Sequence, residues 1–309
     1  MNKTVRTLDY EKIVKILEET EDKYVFEKVN LIPKEDELRD KLKKYVNYNK
    51  MNRKSVLGID IYKYSSYDEF EQSLIPFLFK LMFRETIDRC FSNHKFMFQK
   101  YTKSEIEESF ISTGDGGFLI FDIPMHSLLF AANFALVLRT YNSYHLFPKL
   151  RKIIGGVSLR YAITYDKLYY FENSHYGRAI INNARILSKD NLNRCLIDQN
   201  VYNWFTVNID GLENLQVLGI DDIANIYDFK GAYDYEILEK HPDGFFMKES
   251  TRDMGIINSD VLKIGEINSK ESTISIYNIH IQVASRLKRG DSSRIITISL
   301  GNLNTSHLF

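Results

Sequence analysis

The first clean alternation along the chain is Val56-Leu57-Gly58-Ile59-Asp60-Ile61-Tyr62, where Leu57, Ile59 and Ile61 share one face. Such alternation marks a half-buried strand, and it sets Asp60 on the opposite face. Phe70, Leu74, Phe77, Leu78, Leu81 and Ile87 then recur at helical spacing, so a helix is expected over roughly 67–90, kinked or turned early at Pro76. Thr113-Gly114-Asp115-Gly116-Gly117, ahead of Phe118-Leu119-Ile120-Phe121, reads as a tight hairpin whose central residues tolerate positive φ. Leu128, Leu129, Ala132, Leu136 and Val137 predict a second long helix over roughly 125–141. Strands at about 157–163 and 168–171 and a helix at about 178–188 complete the central run. The order β, α, β-hairpin, α, β, β, α specifies an α+β fold, an antiparallel sheet with helices on one face.

The two ends read differently. Before residue 55, Ile13, Val14, Ile16 and Leu17 mark one amphipathic helix, and Leu38, Leu42 and Val46 mark another opened by Pro33. After Trp204 the pattern is mainly β. Ile226-Tyr227-Asp228-Phe229-Lys230 and Tyr235-Glu236-Ile237-Leu238 are expected to close the central domain as a hairpin. Thr273 to Ile281 and Arg294 to Leu300 alternate as half-buried strands do. With His241-Pro242-Asp243-Gly244 as a soft boundary, the expectation is a helical segment over 1–54, a central domain over 55–244 and a β-rich module over 245–309.

Composition narrows the function classes. In 309 residues, Lys+Arg and Asp+Glu both number 41, so no general charge draws the chain to nucleic acid or an anionic membrane. Cys90 and Cys195 offer neither metal-ligand spacing nor a disulfide framework, which suits a reducing compartment. Met1 to Arg6 lacks the apolar core of a signal peptide, and the apolar stretch Ser127 to Leu138 is too short to span a bilayer. A soluble, cytoplasmic protein with no nucleic-acid or membrane partner is expected.

The candidate chemistry lies in the aspartates. A carboxylate within a strand and another at a hairpin tip meet if the strands are neighbours, and hard oxygen donors suit Mg²⁺ or Mn²⁺. Two such ions about 3.5–4 Å apart clamp the attacking and leaving oxygens of a phosphoryl displacement. The turn Lys63-Tyr64-Ser65-Ser66 is expected to bind phosphate through backbone N–H groups at a helix start, with Ser65 touching substrate. Arg185 offers a planar fork for a charged transition state. Each piece also has a plain reading. An Asp-Gly turn is usually only a turn, and a lone helical Arg is usually a surface residue. The histidines and Tyr169, Tyr170 and Phe171 are read as structural. An aspartate inside a strand is harder to dismiss, because strands disfavour it.

Taken together, Gly58-Ile59-Asp60-Ile61, Thr113-Gly114-Asp115-Gly116 and Gly177-Arg178-Ala179-Ile180-Ile181-Asn182-Asn183-Ala184-Arg185-Ile186-Leu187 resemble the class III nucleotide cyclases, over roughly residues 55–240. The resemblance implies a ferredoxin-like, palm-type sheet and two divalent cations, Mn²⁺ or Mg²⁺, held by Asp60, Asp115 and the backbone carbonyl of Ile61. It also implies that Arg185 stabilises the transition state, and that a homodimer shares its active sites. The family's transition-state Asn falls at Ile181 here, with Asn182 one place on, so Asn182 or another donor takes that role. Its triphosphate-binding Lys is matched only loosely, by Lys230. Where purine cyclases read the base with Lys or Glu, this chain has Ile111, and the partner position is Ser174. With Ile111 there, it is more similar to the pyrimidine cyclases of bacterial anti-phage systems, whose cyclic UMP or cyclic CMP acts on a separate effector, and the resemblance favours UTP over CTP as substrate. Some of those cyclases carry a C-terminal sensor domain, which the β-rich tail resembles. The alternatives are a purine cyclase with an unusual base pocket and a catalytically silent nucleotide-binding module. The diguanylate cyclases share the core, but Gly114-Asp115-Gly116-Gly117-Phe118 departs from their Gly-Gly-Asp-Glu-Phe hairpin.

Overall fold

A computed structural model describes residues 9–18, 35–46, 51–171, 174–212, 215, 255–268, 273–289 and 292–308. The elements begin α1 (Tyr10–Glu18), α2 (Glu35–Lys43), β1 (Asn52–Ile61), α3 (Glu69–Asn93), α4 (Lys95–Phe98), α5 (Lys103–Glu108), β2 (Ile111–Ser112) and β3 (Gly116–Phe121). They continue α6 (Pro124–Asn142), α7 (Pro148–Ile154), β4 (Leu159–Phe171), β5 (Ser174–Gly177), α8 (Arg178–Lys189), β6 (Cys195–Asp198), α9 (Gln199–Ile209), β7 (Gly255–Asn268), β8 (Thr273–Arg289) and β9 (Ser292–Leu300). The fold is α+β, with a mainly antiparallel sheet. Among the described residues no helix is long and apolar enough to cross a membrane.

The chain divides into two compact units. One draws on Met1–Arg53 and Asp166–Arg178, the other on Lys54–Tyr165 and Ala179–Phe309. In the first, the far half of β4 pairs with β5, and Tyr10 of α1 packs on Phe171 with ring centroids 5.9 Å apart. In the second, the sheet runs β2-β3-β1-β4-β6-β8-β7, with β9 also pairing β8. The strands after residue 245, set apart by their sequence pattern, extend this same sheet: Ile276–Ile279 of β8 pairs with Cys195–Asp198 of β6. The link is a short, wholly buried run whose brevity hides it from periodicity. The hairpin expected at 226–238, with Lys230, lies outside the described residues, as does Pro33.

Strand alternation builds a core on each side of the sheet. Leu57, Ile59, Ile61, Ile163 and Ile197 pack with α3, α6 and α9, whereas Ala162, Leu196 and Ile276 pack with Ile186 and Leu187 of α8. The helices therefore divide between two faces rather than sharing one. α3 starts at a reciprocal cap, with Asp68 accepting from the Glu71 N–H at 2.8 Å and Glu71 accepting from the Asp68 N–H at 3.1 Å. It also runs straight through Pro76 in sequence, to Asn93. Proline deprives the Gln72 carbonyl of its helical donor; the Tyr64 hydroxyl donates to that carbonyl instead, at 3.1 Å.

Asn183 ties α8 to the sheet. Its buried amide donates to the carbonyls of Val56 and Ala162, both at 2.8 Å. A Cβ on Gly58 would stand 2.0 Å from Asn183 Oδ1, so the helix needs glycine beneath it. Gly58→Ala is expected to cost about 1–3 kcal/mol through overpacking, and the cost should shrink when Asn183→Ala is combined with it; urea denaturation of the four chains measures both.

Two buried histidines set a pH dependence. Burial drives His94 down to about 3 and His126 down to about 4, from an ordinary 6.5. Below the ordinary value the unfolded chain takes up protons that the folded chain refuses, so stability is intact above it and falls as pH drops. Each histidine is expected to cost about 2 kcal/mol between about pH 7 and pH 5, read as a lowered urea midpoint. Replacing His126 by Gln should remove part of that slope.

Candidate active site

Register brings the two aspartates together. β1 and β3 pair antiparallel with Asp60 opposite Gly116, and the Ile61 N–H donates to the Asp115 carbonyl at 3.2 Å. The hairpin tip is a two-residue loop, Gly114-Asp115, closed by the Thr113 N–H donating to the Gly116 carbonyl at 2.9 Å. Gly114 takes φ +105°, which a side chain would resist. Gly116 lies so close to β1 that a Cβ would meet the Ile59 carbonyl at 2.1 Å. These constraints leave Asp115 next to Asp60.

The pair is electrostatically unhappy by itself. Burial pushes the Asp60 carboxyl above the usual carboxylate range; the Arg160 guanidinium opposes that, and the neighbouring Asp115 carboxylate adds to it. Arg160, in β4, donates from Nε to Asp60 Oδ2 and from Nη1 to the backbone carbonyl of Asp190 at 2.6 Å. Among the described residues no group of three or more His, Cys, Asp or Glu side chains is placed to hold a metal. Two hard carboxylates, one raised chiefly by its burial, nonetheless fit Mg²⁺ or Mn²⁺, ions that commonly take one or two carboxylates and complete their shell with substrate phosphate and water.

The other expected site residues fall as follows. Ile61 is buried, at the end of β1. Ile111 is half-buried in β2 opposite Phe118, with no polar atom to offer a base. Ser65 is exposed in the turn Tyr64–Ser66. The nearby start of α3 is already capped by Asp68 and carries Glu69 and Glu71 in its first turn. Arg185 is exposed on α8, and its guanidinium has no ion-pair partner among the described residues. Ile181, one turn earlier and 50% exposed, shares Arg185's side of the helix, while Asn182 is half-buried and Asn183 faces the sheet. Ser174 is exposed in β5, in the other compact unit, and Lys230 lies outside the described residues.

Sequence reasoning passed over Arg160. The signal was available: Arg160 interrupts the apolar run Leu159-Arg160-Tyr161-Ala162 much as Asp60 interrupts its own. Two charged residues buried in neighbouring strands are best accommodated as a pair.

No protein-family model matches the chain, and no curated protein matches it. Solved structures do match in shape. The catalytic core of a rhodopsin-guanylyl cyclase with converted specificity, in complex with ATPαS, is 10% identical with a TM-score of 0.41, covering 74% of this chain and 96% of that one. An adenylate/guanylate cyclase/hydrolase from Silicibacter pomeroyi is 12% identical with a TM-score of 0.35, covering 74% and 96%. The adenylyl cyclase CyaB from P. aeruginosa is 12% identical with a TM-score of 0.34, covering 78% and 96%. Likenesses at this level assign no residue a role.

A cation bridging the two carboxylates should stabilise the protein without any nucleotide. Mn²⁺ at about 100 times its dissociation constant is expected to add about 2.7 kcal/mol, seen as a raised Tm that Asp60→Asn and Asp115→Asn both abolish.

Proposed function

We propose that the protein is a metal-dependent pyrimidine nucleotide cyclase, converting UTP or CTP to the 3′,5′-cyclic monophosphate and pyrophosphate. The observation that carries this reading is the convergence of Asp60 and Asp115 from separate strands, with a guanidinium already beside them. In the reaction the 3′-oxygen attacks the α-phosphorus in line, the bond to the bridging oxygen of pyrophosphate breaks, and the hydroxyl proton is lost. Divalent cations, when bound, supply Lewis acidity to the attacking oxygen and charge neutralisation to the triphosphate.

The chain's own residues do the rest. Asp60 and Asp115, with the Ile61 carbonyl, hold the cations. With cations held there, Arg160 would be free to pair with triphosphate oxygens, its Nη1 still donating to the Asp190 carbonyl. Arg185 projects from α8 into solvent, with no ion-pair partner among the described residues. It serves the aspartates of a second copy, in a two-fold dimer with two equivalent sites. By the resemblance, Asn182 or another donor assists it, Ser65 contacts the nucleotide, and the positions that would correspond to the other substrate contacts are Ser174 and Lys230. Ile111 gives a purine edge no hydrogen-bond partner, which is the support for a pyrimidine; a site lacking the matching polar group selects against substrates that need one. By its resemblance to anti-phage cyclases, the product is a second messenger for a separate effector in the cytoplasm.

Incubation of the purified protein with Mn²⁺ and each of the four ribonucleoside triphosphates tests this. Cyclic UMP or cyclic CMP and pyrophosphate are expected, with Asp115→Ala inactive and Arg185→Ala reduced by about 100-fold or more. Cyclic AMP or cyclic GMP as the main product would overturn the base assignment, and no product at all would favour the silent module. Mixing the two inactive chains is expected to recover about a quarter of the parent rate, because half the dimers then keep one intact site.

A further inference from the structure

The turn between α8 and β6 is a junction for three parts of the fold. Asp190 closes α8, its N–H donating to the Ile186 carbonyl at 3.1 Å, and its own carbonyl accepts from Arg160 Nη1. Its carboxylate, 1% exposed with its residue, takes a two-pronged bond from Arg194, Nε at 2.9 Å and Nη2 at 2.7 Å to Oδ1. Arg194 is itself only 1% exposed, and its remaining nitrogen, Nη1, donates to the carbonyls of Ser306 at 2.6 Å and Asn304 at 3.3 Å. A wholly buried guanidinium is tolerable only when its donors are met. Here the C-terminal segment meets them.

That segment is held in place from several directions. Asn278 of β8 donates to the Asn302 carbonyl at 2.8 Å and the Asn304 carbonyl at 3.2 Å. Asn302 donates to the Asn193 carbonyl at 2.9 Å, within the same turn, and His307 Nδ1 lies 2.6 Å from the Ile264 carbonyl. A chain of charge-assisted bonds, linked covalently within Asp190 between its carboxylate and its carbonyl, thus runs from Ser306 through Arg194, Asp190 and Arg160 to Asp60.

We infer that Arg194 and the C-terminal segment 302–306 are positioning elements for Arg160, and through it for the cation-binding carboxylates; this rests on the cyclase reading of that site. Arg160 shares its guanidinium between Asp60 and the Asp190 carbonyl. Fixing one nitrogen removes much of the rotamer freedom of a long side chain, which strengthens its hold on Asp60 and raises the barrier a cation must overcome. Loosening the turn frees Arg160, so cations displace it more easily, while its later grip on triphosphate weakens.

The test uses the full chain, Arg194→Lys, a chain stopped after Leu303, Arg160→Ala and the double variant Arg160→Ala/Arg194→Lys. Lysine keeps the charge but loses the fork. Mn²⁺ affinity is measured without nucleotide by calorimetry, and the Arg160 Nε–H is followed by NMR. Arg160→Ala is expected to bind Mn²⁺ about tenfold more tightly, Arg194→Lys and the shortened chain several-fold more tightly. The double variant should match Arg160→Ala alone. The Arg160 Nε–H, protected from exchange in the parent, should lose protection in Arg194→Lys and the shortened chain. With UTP, both should raise KM several-fold while kcat stays within about twofold. The inference is overturned by Nε–H protection that survives both changes, or by Mn²⁺ effects of Arg160 and Arg194 that add. It is overturned too by a fall in kcat alone that a Tm-matched Ile267→Val chain reproduces. Absence of Mn²⁺ binding in every chain would sink the metal reading instead, since the Nε–H signal reports the coupling with no metal present.

Discussion

Burial of the Asp60 carboxylate beside a second carboxylate, Asp115, is the constraint on which the site depends. Backbone register holds the two residues side by side: Asp60 is fixed opposite Gly116, and the Asp115 carbonyl is held by the next residue of β1. An arrangement of that kind is costly in a low-dielectric setting unless positive charge is near. Arg160 provides it. The pairing explains why an arginine interrupts the run Leu159–Ile163 at the start of β4, and it marks the place where a cation and a polyanion would exchange partners.

The apolar framework exists to hold that geometry. Two cores press the sheet from both faces, one from α3, α6 and α9 and the other from α8. Asn183 bonds α8 to β1 and β4 at once, spanning the strands that carry Asp60 and Arg160. The exposed side of α8, with Ile181 and Arg185, is consequently presented at a fixed angle to anything that docks there.

Much of the central architecture was legible in the sequence, because the clearest periodicities are also the long elements. The strand around Asp60, the two long helices and the hairpin at Asp115 fall where alternation and turn chemistry put them. What escaped did so for physical reasons. β6 is four residues long and buried throughout, too short for a period. The C-terminal strands alternate cleanly, but alternation says which face is buried and not which strand is the neighbour, so their joining to β6 was invisible. Pro76 argued for a kink or an early turn, and the Tyr64 hydroxyl that takes up the freed carbonyl lies twelve positions earlier, beyond any local rule. At the site, residue type identified the acidic pair. Arg160, Asp190 and Arg194 matter through contacts made across the fold, which spacing does not encode.

Hairpin tips are ordinarily where a polypeptide accepts insertions and drifts over evolutionary time. The Gly114-Asp115 tip is denied that freedom. With only two residues between paired strands, one added residue would either bulge the ladder or swing the carboxylate to the other side of the sheet. Length at this one point is therefore part of the chemistry. Descendants of this chain should vary widely in the surrounding helices while keeping the tip at two residues.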